Sequence, residues 1–488
     1  MAVEKAGLKK NAISFASNIV IGVASTAPAY SLAAALPALV AAAKFGVPAI
    51  LILAFVPMLF IAAAYFHLNR ADPDCGTTFA WGTRAFGPYI GWMGGWAVLA
   101  TDILVMPGLA QVAGEYALHL VGVAEPTVFG VTVIGVAFIV LMTLICYLGI
   151  ELSANTQKLL LGAEIVILIV FSVVALTKVY SGSAPGTRVA AAWFNPLTIG
   201  SGSDFTQAML TAIFIYWGWD TGTAVNEETE QPGTAPARAA IIATILLVGI
   251  YALVSVAAVA FAEPALETYS GDDFLAPLAA NVLGGGMGKL LIFAVLTSAA
   301  ACTQTTILPA ARTAISMARE GALPRIFGDI HPRYRTPGFA TLAMGAVSIV
   351  WYLGLVSLSD NNVLADSVTA TAIGIAFYYG LTGFACAMFY RRELLKSATN
   401  FICIGLAPVA GGLVMLALFV GSCVNYWSPD QNKTAFHGVG AALIFGLGAL
   451  AVGVLLMIWA RLALPDFFRR QPDVVDPAQV GADAAPRP

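Results

Sequence analysis

The sequence predicts an all-α integral membrane protein with about 12 transmembrane helices. Composition is the first reason, because Asp, Glu, Lys and Arg make up 10% of the 488 residues and hydrophobic residues make up 59%. Soluble domains carry about 25% charged residues, and a soluble globule of this composition would expose large apolar patches. The second reason is that the apolar residues lie in long runs, as membrane-spanning helices require.

The spans follow from these runs, since a transmembrane helix needs about 20 mostly apolar residues. Nine runs of at least 18 residues contain no Asp, Glu, Lys, Arg or His: 11–43, 45–66, 126–150, 239–262, 290–311, 336–359, 367–390, 397–429 and 438–460. Three further runs qualify if one acid is allowed: 85–114, 159–177 and 205–226. Together they give twelve predicted spans.

The basic residues predict the orientation, because Lys and Arg concentrate in cytoplasmic loops. With both termini in the cytoplasm, 19 of the 24 Lys and Arg residues fall in cytoplasmic segments and 5 in outer segments. We therefore predict a multi-pass protein of the cell (cytoplasmic) membrane. Residues 1–12 are the predicted cytoplasmic N-terminal segment, and 471–488 are a predicted disordered cytoplasmic tail.

The sequence carries no sign of catalysis, metal binding or nucleic-acid binding. The net charge of −3 gives no basic excess that would attract nucleic acid. The six cysteines form no CxxC pair, the four histidines form no HExxH motif, and no GxxxxGK(S/T) phosphate loop occurs. We predict that the protein is not an enzyme and has no cofactor and no metal site.

Two spans carry helix-disrupting residues near the middle of the membrane. In the first span they are Gly22, Ser25, Thr26 and Pro28. In the sixth span, Gly218 and Gly222 flank Asp220. Proline cannot donate a backbone hydrogen bond, and hydroxyl side chains can satisfy backbone groups that a break exposes. Each feature alone is compatible with a simple kink, because Gly and Pro are common in membrane helices.

The two disrupted spans open two predicted five-helix sets, 13–179 and 205–390, which are followed by two further helices in 397–463. Matching interruptions in corresponding spans indicate a transporter built from inverted repeats. A broken helix exposes amides that suit a carboxylate and carbonyls that suit an ammonium. An amino acid carries both groups, so the breaks are the predicted substrate site.

Three acids lie inside predicted spans, where a charge is costly. Asp220 is interpreted as a group that faces an ammonium, or as a cap for loose N–H groups. Asp102 is interpreted as a substrate contact, or as a partner of a neighbouring hydroxyl. Glu164 is the predicted carrier of a coupling proton, or a protonated packing group. No Lys or Arg lies inside a predicted span, which favours protonation or a cationic ligand.

Aromatic and polar side chains surround these positions. Four aromatic residues crowd the second break and are interpreted as a stacking lid or as packing between helices: Phe214, Tyr216, Trp217 and Trp219. Span eight carries a polar face that is interpreted as ligand contacts or as helix-to-helix hydrogen bonds: Ser298, Thr303, Gln304, Thr305 and Thr306. Glu228 is interpreted as half of an inner gate with Arg312 or Arg319, or as part of a solvated charge run.

Three stretches form a recognisable set: PDCGTTFAWGTRAFGPYIGWMGGWAVL (73–99), FIYWGWDTGTAVNEETEQPGTAPARAAI (214–241) and AARTAISMAREGALPRIFGDIHPRYRTPGFA (310–340). Together they resemble the amino acid–polyamine–organocation (APC) permease superfamily, and the resemblance extends over about residues 10–465. The set is specific to the superfamily but not to a substrate.

The resemblance implies a 5+5 inverted-repeat (LeuT-like) fold with discontinuous helices 1 and 6 and two peripheral helices. It implies that backbone amides bind the substrate carboxylate at Val23, Ala24, Ser25 and Thr26. It implies contacts to the α-amino group from the carbonyl of Ile21 and from the sixth span at Phe214, Tyr216 and Trp217, with Phe214 as an aromatic gate.

The sequence departs from the family pattern at two positions. Ala24 stands where the family's first helix usually has glycine, which narrows access to the backbone. Glu164 stands where some proton-coupled relatives have a basic residue. The reversed charge argues against a simple lysine-for-sodium substitution and leaves proton coupling as an expectation.

The predicted function is secondary active transport that imports an amino acid or a small amine such as a polyamine. A proton is the predicted coupling ion, with sodium as the alternative. An exchanger of the same fold is the near alternative, and a channel or a non-transporting sensor is a more distant one. The predicted partners are the substrate, the ion and the lipid bilayer, without nucleic acid. The oligomeric state stays open.

Overall fold

The structure, a computed structural model, describes residues 7–262, 275–284, 286–359, 362–429 and 432–470. Within these residues the chain is helical apart from loops and one two-stranded hairpin. The predicted all-α membrane fold is confirmed. Residues 1–6 of the predicted N-terminal segment and the predicted tail at 471–488 lie outside the described residues.

The α-helices of the described residues are α1 (Phe15–Thr26), α2 (Pro28–Ala43), α3 (Val47–Ala71), α4 (Thr78–Phe86), α5 (Pro88–Leu120), α6 (Val128–Leu148), α7 (Ile150–Ser181), α8 (Gly202–Ile215), α9 (Thr221–Ala224), α10 (Ala235–Ala262), α11 (Leu275–Leu283), α12 (Gly288–Arg319), α13 (Gly338–Leu358), α14 (Val363–Phe389), α15 (Ala398–Asn400), α16 (Ala407–Asn425), α17 (Ala441–Ala463) and α18 (Pro465–Phe468). A π-helical segment, Phe401–Leu406, joins α15 to α16. The antiparallel strands are β1 (Ala435–Phe436) and β2 (Val439–Gly440). Short 3₁₀ turns are Lys44–Gly46, Ala191–Phe194, Pro196–Thr198, Asn226–Glu228, Arg325–Gly328 and Leu394–Lys396.

Within the described residues, ten helical stretches are long and apolar enough to cross a membrane. One of them runs from Phe15 to Ala71 and has 57 residues. As one straight helix it would extend about 85 Å, nearly three times the hydrocarbon thickness. The backbone turns at Lys44, where φ is +49°, so this stretch supplies two crossings. With the interrupted sixth span of α8 and α9, the described chain accommodates the twelve predicted spans.

Helices differ in how much of their surface is buried. The apolar stretches of α5 and α12 are mostly buried, whereas about a third or less of the residues in those of α6, α7 and α17 is buried. Large apolar side chains on the outer helices are exposed, such as Leu159, Val350 and Leu455. Lipid tails are as apolar as these side chains, so contact with lipid at these positions costs no hydrophobic stabilisation. The centre of the bundle, where α5 and α12 lie, is therefore the place for polar chemistry.

The first predicted discontinuity is confirmed, and it falls at Ala27. The residue has φ +45° and ψ +68°, a left-handed conformation that ends α1 and is uncommon without glycine. Pro28 follows as the first residue of α2, where proline fits because the first N–H of a helix needs no partner.

The sixth span is also broken. α8 begins at a capping serine, with Ser201 Oγ accepting the Asp204 N–H at 3.1 Å, and ends at Ile215. Residues 216–220 are non-helical turns, and α9 then starts at Thr221. The predicted discontinuity of this span is confirmed.

Candidate functional site

The two helix breaks meet inside the bundle. The hydroxyl groups of Ser25 and Thr221 lie 2.8 Å apart. Gly218 has φ +115°, and a Cβ atom added there would lie 2.7 Å from the carbonyl oxygen of Ser25. The thiol of Cys302 approaches the same oxygen, with an S–O distance of 3.0 Å. The first break, the second break and α12 therefore converge on one backbone carbonyl.

The last turn of α1 presents carbonyl oxygens to this junction. That turn consists of Val23, Ala24, Ser25 and Thr26. The last carbonyls of a helix lack partners within it and form the negative end of its dipole. Side-chain hydroxyls bind two of these carbonyls. The Thr26 hydroxyl donates to the Val23 carbonyl at 2.7 Å, and the Ser31 hydroxyl donates to the Thr26 carbonyl at 2.5 Å. Ile21 is fully buried one turn earlier. This end of α1 suits a cationic group more than a carboxylate.

The amides at the start of α2 are bound by protein side chains. Ala29 N–H donates to Glu164 Oε1 at 2.7 Å, and Tyr30 N–H donates to Ser298 Oγ at 3.1 Å. The Ser298 hydroxyl donates to the same Glu164 oxygen at 2.9 Å. The other oxygen, Oε2, is buried without a hydrogen-bond partner among the described residues. Glu164 of α7 thus connects the first break to α12.

Asp220 is surrounded by three tyrosines. Its Oδ1 accepts the hydroxyl of Tyr379 at 2.8 Å, and its Oδ2 accepts those of Tyr378 at 3.2 Å and Tyr65 at 3.4 Å. Asp220 precedes α9, but its side chain makes no capping hydrogen bond there. The capping alternative therefore does not describe this carboxylate, which instead connects the second break to α3 and α14.

Asp102 lies in α5 and is almost fully buried. Its Oδ2 has no hydrogen-bond partner in the described part of the chain. α5 packs against α12 and α14, and these two helices also contact the helices at the two breaks. Among the described residues, no ion pair includes Asp102 or Asp220. The two acids are therefore buried carboxyl groups that no basic side chain of the described residues pairs with.

The aromatic residues of the second break are buried and connect helices. Trp217 Nε1–H donates to the hydroxyl of Tyr378, and the Tyr216 hydroxyl donates to the carbonyl of Leu51 at 3.0 Å. The ring centroids of Trp219 and Tyr379 lie 5.4 Å apart. Phe214 is buried at the end of α8. Of these, Trp217 and Trp219 contact the tyrosines around Asp220.

Sequence reasoning missed the three tyrosines at Asp220. Tyr65 lies in the second predicted span, and Tyr378 and Tyr379 lie in the tenth. In these apolar runs they look like ordinary packing residues. The one available signal was the adjacent pair of tyrosines in mid-span. Their role depends on which helices pack together, and spacing along the chain does not reveal that.

Comparison with known proteins places the sequence of this chain in a family. A family model described as amino acid permease matches residues 10–466. The chain belongs to the amino acid permease family. The resemblance to the APC superfamily is confirmed, and this permease is a multi-pass membrane protein.

Three relatives illustrate its similarities. An uncharacterized transporter of Mycobacterium tuberculosis is 26% identical over 92% of both chains. The low-affinity putrescine importer PlaP of Escherichia coli is 23% identical over 77% of the permease and 80% of the importer. The branched-chain amino acid permease BcaP of Lactococcus lactis is 23% identical over 83% of the permease and 88% of the relative.

A buried ion pair lies beyond the second break. Arg312 Nε donates to Glu228 Oε2 at 2.9 Å, and its terminal NH2 donates to Oε1 at 3.0 Å. Both side chains are 0% exposed. Arg319 pairs instead with the neighbouring Glu227 at 2.8 Å. The solvated alternative for Glu228 does not apply, and the pair joins the segment after α9 to α12.

A thiol lies next to this ion pair. Asp74, Cys75 and Glu227 have ligand atoms within 4.8 Å of one another, but protein donors already bind the carboxylates. Ser316 donates to Asp74 at 2.6 Å, and Arg319 donates to both oxygens of Glu227. Burial raises the pKa of the Cys75 thiol well above its ordinary value. The thiol is therefore unreactive in this arrangement.

The described end of the N-terminal segment pairs with the chain beside this ion pair, and we call residues 12–13, the 226–230 segment and Arg312 together the inner layer. The N–H groups of Ala12 and Ile13 donate to the Glu228 carbonyl at 2.8 and 3.0 Å, and Glu230 N–H donates to the Ile13 carbonyl at 2.9 Å. Asn18 Nδ2 donates to the Gly222 carbonyl at 2.9 Å. Backbone hydrogen bonds thus connect residues 12 and 13 to the segment that carries Glu228 of the ion pair.

Proposed function

We propose that this permease is a secondary active transporter that imports an amino acid or a small amine across the cytoplasmic membrane, with a proton as the coupling ion. One observation carries the proposal: two broken helices meet beside two buried carboxylates that no described basic residue pairs with. The names of two relatives, a putrescine importer and a branched-chain amino acid permease, support a substrate that bears an amino group.

The ammonium of the substrate would be bound where negative charge concentrates. The carbonyl end of α1, Asp220 and Asp102 provide that charge, and a buried carboxylate without a cation is costly. A cationic ligand would offset this cost. The proposed contacts to the substrate as a whole, its carboxylate included, are Ile21, Val23, Ala24, Ser25, Thr26, Asp102, Phe214, Tyr216, Trp217 and Asp220.

Glu164 is the proposed coupling residue. Its carboxyl group bonds to the start of α2 and to Ser298 of α12. A proton on the unpartnered Oε2 removes the charge, which weakens the charge-assisted bond to the Ala29 amide. The protonation state would then change how α2 packs on α7 and α12.

Two gates are proposed on either side of the substrate. Phe214 closes the substrate pathway on the side of α8, and the Glu228–Arg312 pair closes it on the inner side. The orientation with both termini in the cytoplasm places that ion pair at the cytoplasmic end, and the excess of basic residues there supports this orientation.

Uptake into liposomes tests the proposal. Purified permease is reconstituted, an inward proton gradient is imposed, and labelled putrescine and labelled leucine are supplied in separate experiments. We expect accumulation of at least one probe above equilibrium, and its loss on addition of a protonophore. A sodium gradient serves as the comparison.

Each other outcome selects an alternative. Accumulation driven only by sodium would replace the proton as coupling ion. Labelled uptake that requires unlabelled substrate inside the liposomes would identify an exchanger. Equilibration of the probe across the membrane that does not depend on any imposed gradient would exclude secondary active transport.

A further inference from the structure

A cavity lies at the end of the bundle where the N-terminal segment meets two interhelical loops. Its volume is about 1010 Å³. The N-terminal segment, the α6–α7 junction and the α12–α13 loop line it: Gly7, Leu8, Lys9, Lys10, Leu148, Gly149, Ile150, Glu151, Leu152, Pro332, Arg333, Tyr334 and Arg335. The proposed transport function uses none of these residues.

The lining is basic. Lys9, Lys10, Arg333 and Arg335 are exposed cations, and Glu151 is the single acid of the lining. Lys9 Nζ lies 2.7 Å from Glu151 Oε2, so this carboxylate is already neutralised. Lys10, Arg333 and Arg335 remain as an excess of positive charge around one concave site. Like charges repel, so a cavity of this kind favours an anion.

The loop that carries the two arginines is an ordered structure. His331 Nδ1 accepts the N–H groups of Arg333 at 3.3 Å and Tyr334 at 3.2 Å, and the His331 and Tyr334 rings stack at 4.7 Å. The Arg333 guanidinium lies 5.5 Å from the centroid of the Tyr334 ring. Arg335 donates to the carbonyl of Gly7 at 3.2 Å, which ties the loop to the N-terminal segment. The positions of both guanidinium groups are therefore set before a ligand binds.

The start of α7 adds a second attraction for an anion. α7 is 32 residues long, and no side chain caps its N-terminus at Gly149. The first amides of such a helix point outward at the positive end of its dipole. Because this end lies in the lining of the cavity, backbone donors and basic side chains point to the same ligand chemistry.

The position of the cavity identifies the source of the anion. It lies where the candidate membrane spans α6 and α7 meet, and the ends of membrane-spanning helices lie near the lipid headgroups. Leu148 is 44% and Leu152 is 46% exposed on the same lining. A phospholipid could place its phosphate among the cations and its acyl chains along these leucines, whereas a free phosphate would use the polar half only.

We propose that this cavity binds the headgroup of an anionic phospholipid through its phosphate. Arg333 and Arg335 supply planar donors that match phosphate oxygens, and Lys10 and the α7 N-terminus complete the site. The N-terminal segment that lines the cavity continues into the backbone pairing with Glu228. Bound lipid would therefore hold the N-terminal segment against the residues that pair with Glu228.

Thermal unfolding of the full-length permease in detergent micelles tests the proposal. The probes are phosphatidylglycerol, phosphatidylcholine at the same concentration, and inorganic phosphate without added lipid. We expect phosphatidylglycerol to raise Tm by at least about 2 °C more than phosphatidylcholine. R333Q/R335Q should lose this difference, and K10Q should reduce it. R391Q/R392Q removes two exposed arginines from the α14–α15 loop and should keep it.

Four results would overturn the proposal. The first is an equal rise in Tm with both lipids. The second is an undiminished phosphatidylglycerol effect in both R333Q/R335Q and K10Q, and the third is an equal loss of the effect in R391Q/R392Q. The fourth is a full effect of inorganic phosphate alone, which would make the cavity a site for free phosphate. R333K/R335K retains the charges, so it should recover part of the lipid effect.

Discussion

At the scale of single residues, the most informative group is the Asp220 carboxylate with its three tyrosine donors. Hydroxyl groups stabilise an anion without neutralising it, so the three tyrosines allow Asp220 to carry the charge with which the proposed ammonium would pair. A tyrosine hydroxyl can also turn to another acceptor when an ammonium arrives. Trp217 Nε1–H donates to the hydroxyl oxygen of Tyr378, which leaves the hydroxyl proton available for Asp220.

The substitution D220N tests this role. Asparagine is isosteric with aspartate and can still accept a hydrogen bond from Tyr379, so we expect the variant to fold. Removing the charge should weaken binding of an amine substrate at least ~10-fold, since a hydrogen bond to a charged group contributes about 1.5–3 kcal/mol. The measurement is the KM of putrescine or leucine uptake. D204N, which changes an exposed acid of α8, should leave it unchanged. An unaltered KM in D220N would leave Asp220 with a structural role.

At the scale of elements, the two interrupted spans depend on each other. Gly218 allows the second break to approach the carbonyl of Ser25, and no residue with a side chain fits there without a shift of α1. The break is therefore a packed interface between α1 and the 216–220 segment. Its geometry is set by contact, and a flexible hinge would not require a glycine at this position.

The substitution G218A tests the interface. A left-handed or otherwise strained φ costs alanine about 1–3 kcal/mol, and the added Cβ would overlap the Ser25 carbonyl. We expect a lower Tm and a loss of substrate uptake. The matched control is G249A in α10, where an added Cβ meets nothing within 4 Å and helix propensity favours alanine. Equal behaviour of the two variants would show that the close approach is unimportant.

The inner layer is a second element whose role can be measured. Removing one partner of a buried ion pair leaves an unpaired charge that costs about 3–5 kcal/mol. In E228Q the unpaired charge is the Arg312 guanidinium, which reaches water only if the inner layer opens. Opening would also expose the Cys75 thiol, which is fully buried in the closed arrangement.

We expect E228Q to increase maleimide labelling of Cys75 by at least ~10-fold, the population shift that 1.4 kcal/mol produces. C75S gives the background from the other five cysteines. E393Q, which disrupts an exposed ion pair with Lys396, is the control and should label as slowly as the unchanged chain. Slow labelling of a folded E228Q protein would argue against an inner gate at this pair.

At the scale of the whole molecule, the sequence predicted the spans and the two interrupted helices well. Apolar runs and single residues such as Pro28 or Gly218 are local features of the sequence. They can be recognised without knowing how the helices pack. The sequence did not reveal that Ala27 takes the left-handed conformation, because a residue without special backbone freedom does so only when its neighbours require it. It also did not reveal the tyrosines at Asp220 or the bond from Ala29 to Glu164, since these pairs are separated by more than 130 residues.

Coupling is a property of the whole molecule, and the Glu164 carboxyl group is where it can be tested. This group bonds to the start of α2 and to Ser298, so its charge acts on three helices at once. In E164Q the amide oxygen can still accept from Ala29 and Ser298, and the fold should be kept. In E164A the Ala29 amide would be buried without a partner, at a cost of about 1–3 kcal/mol, and Tm should fall.

The decisive measurement is the pH dependence of uptake. If Glu164 carries the coupling proton, uptake by the unchanged permease falls as the pH on the proton-donating side rises and the carboxyl group loses its proton. Glutamine cannot titrate, so E164Q should show a flat profile while its Tm stays close to that of the unchanged chain. E125Q, which alters an exposed glutamate, should retain the slope. A sloping profile in a folded E164Q protein would assign the proton to another group, with Asp102 and Asp220 as the remaining buried carboxylates near the breaks.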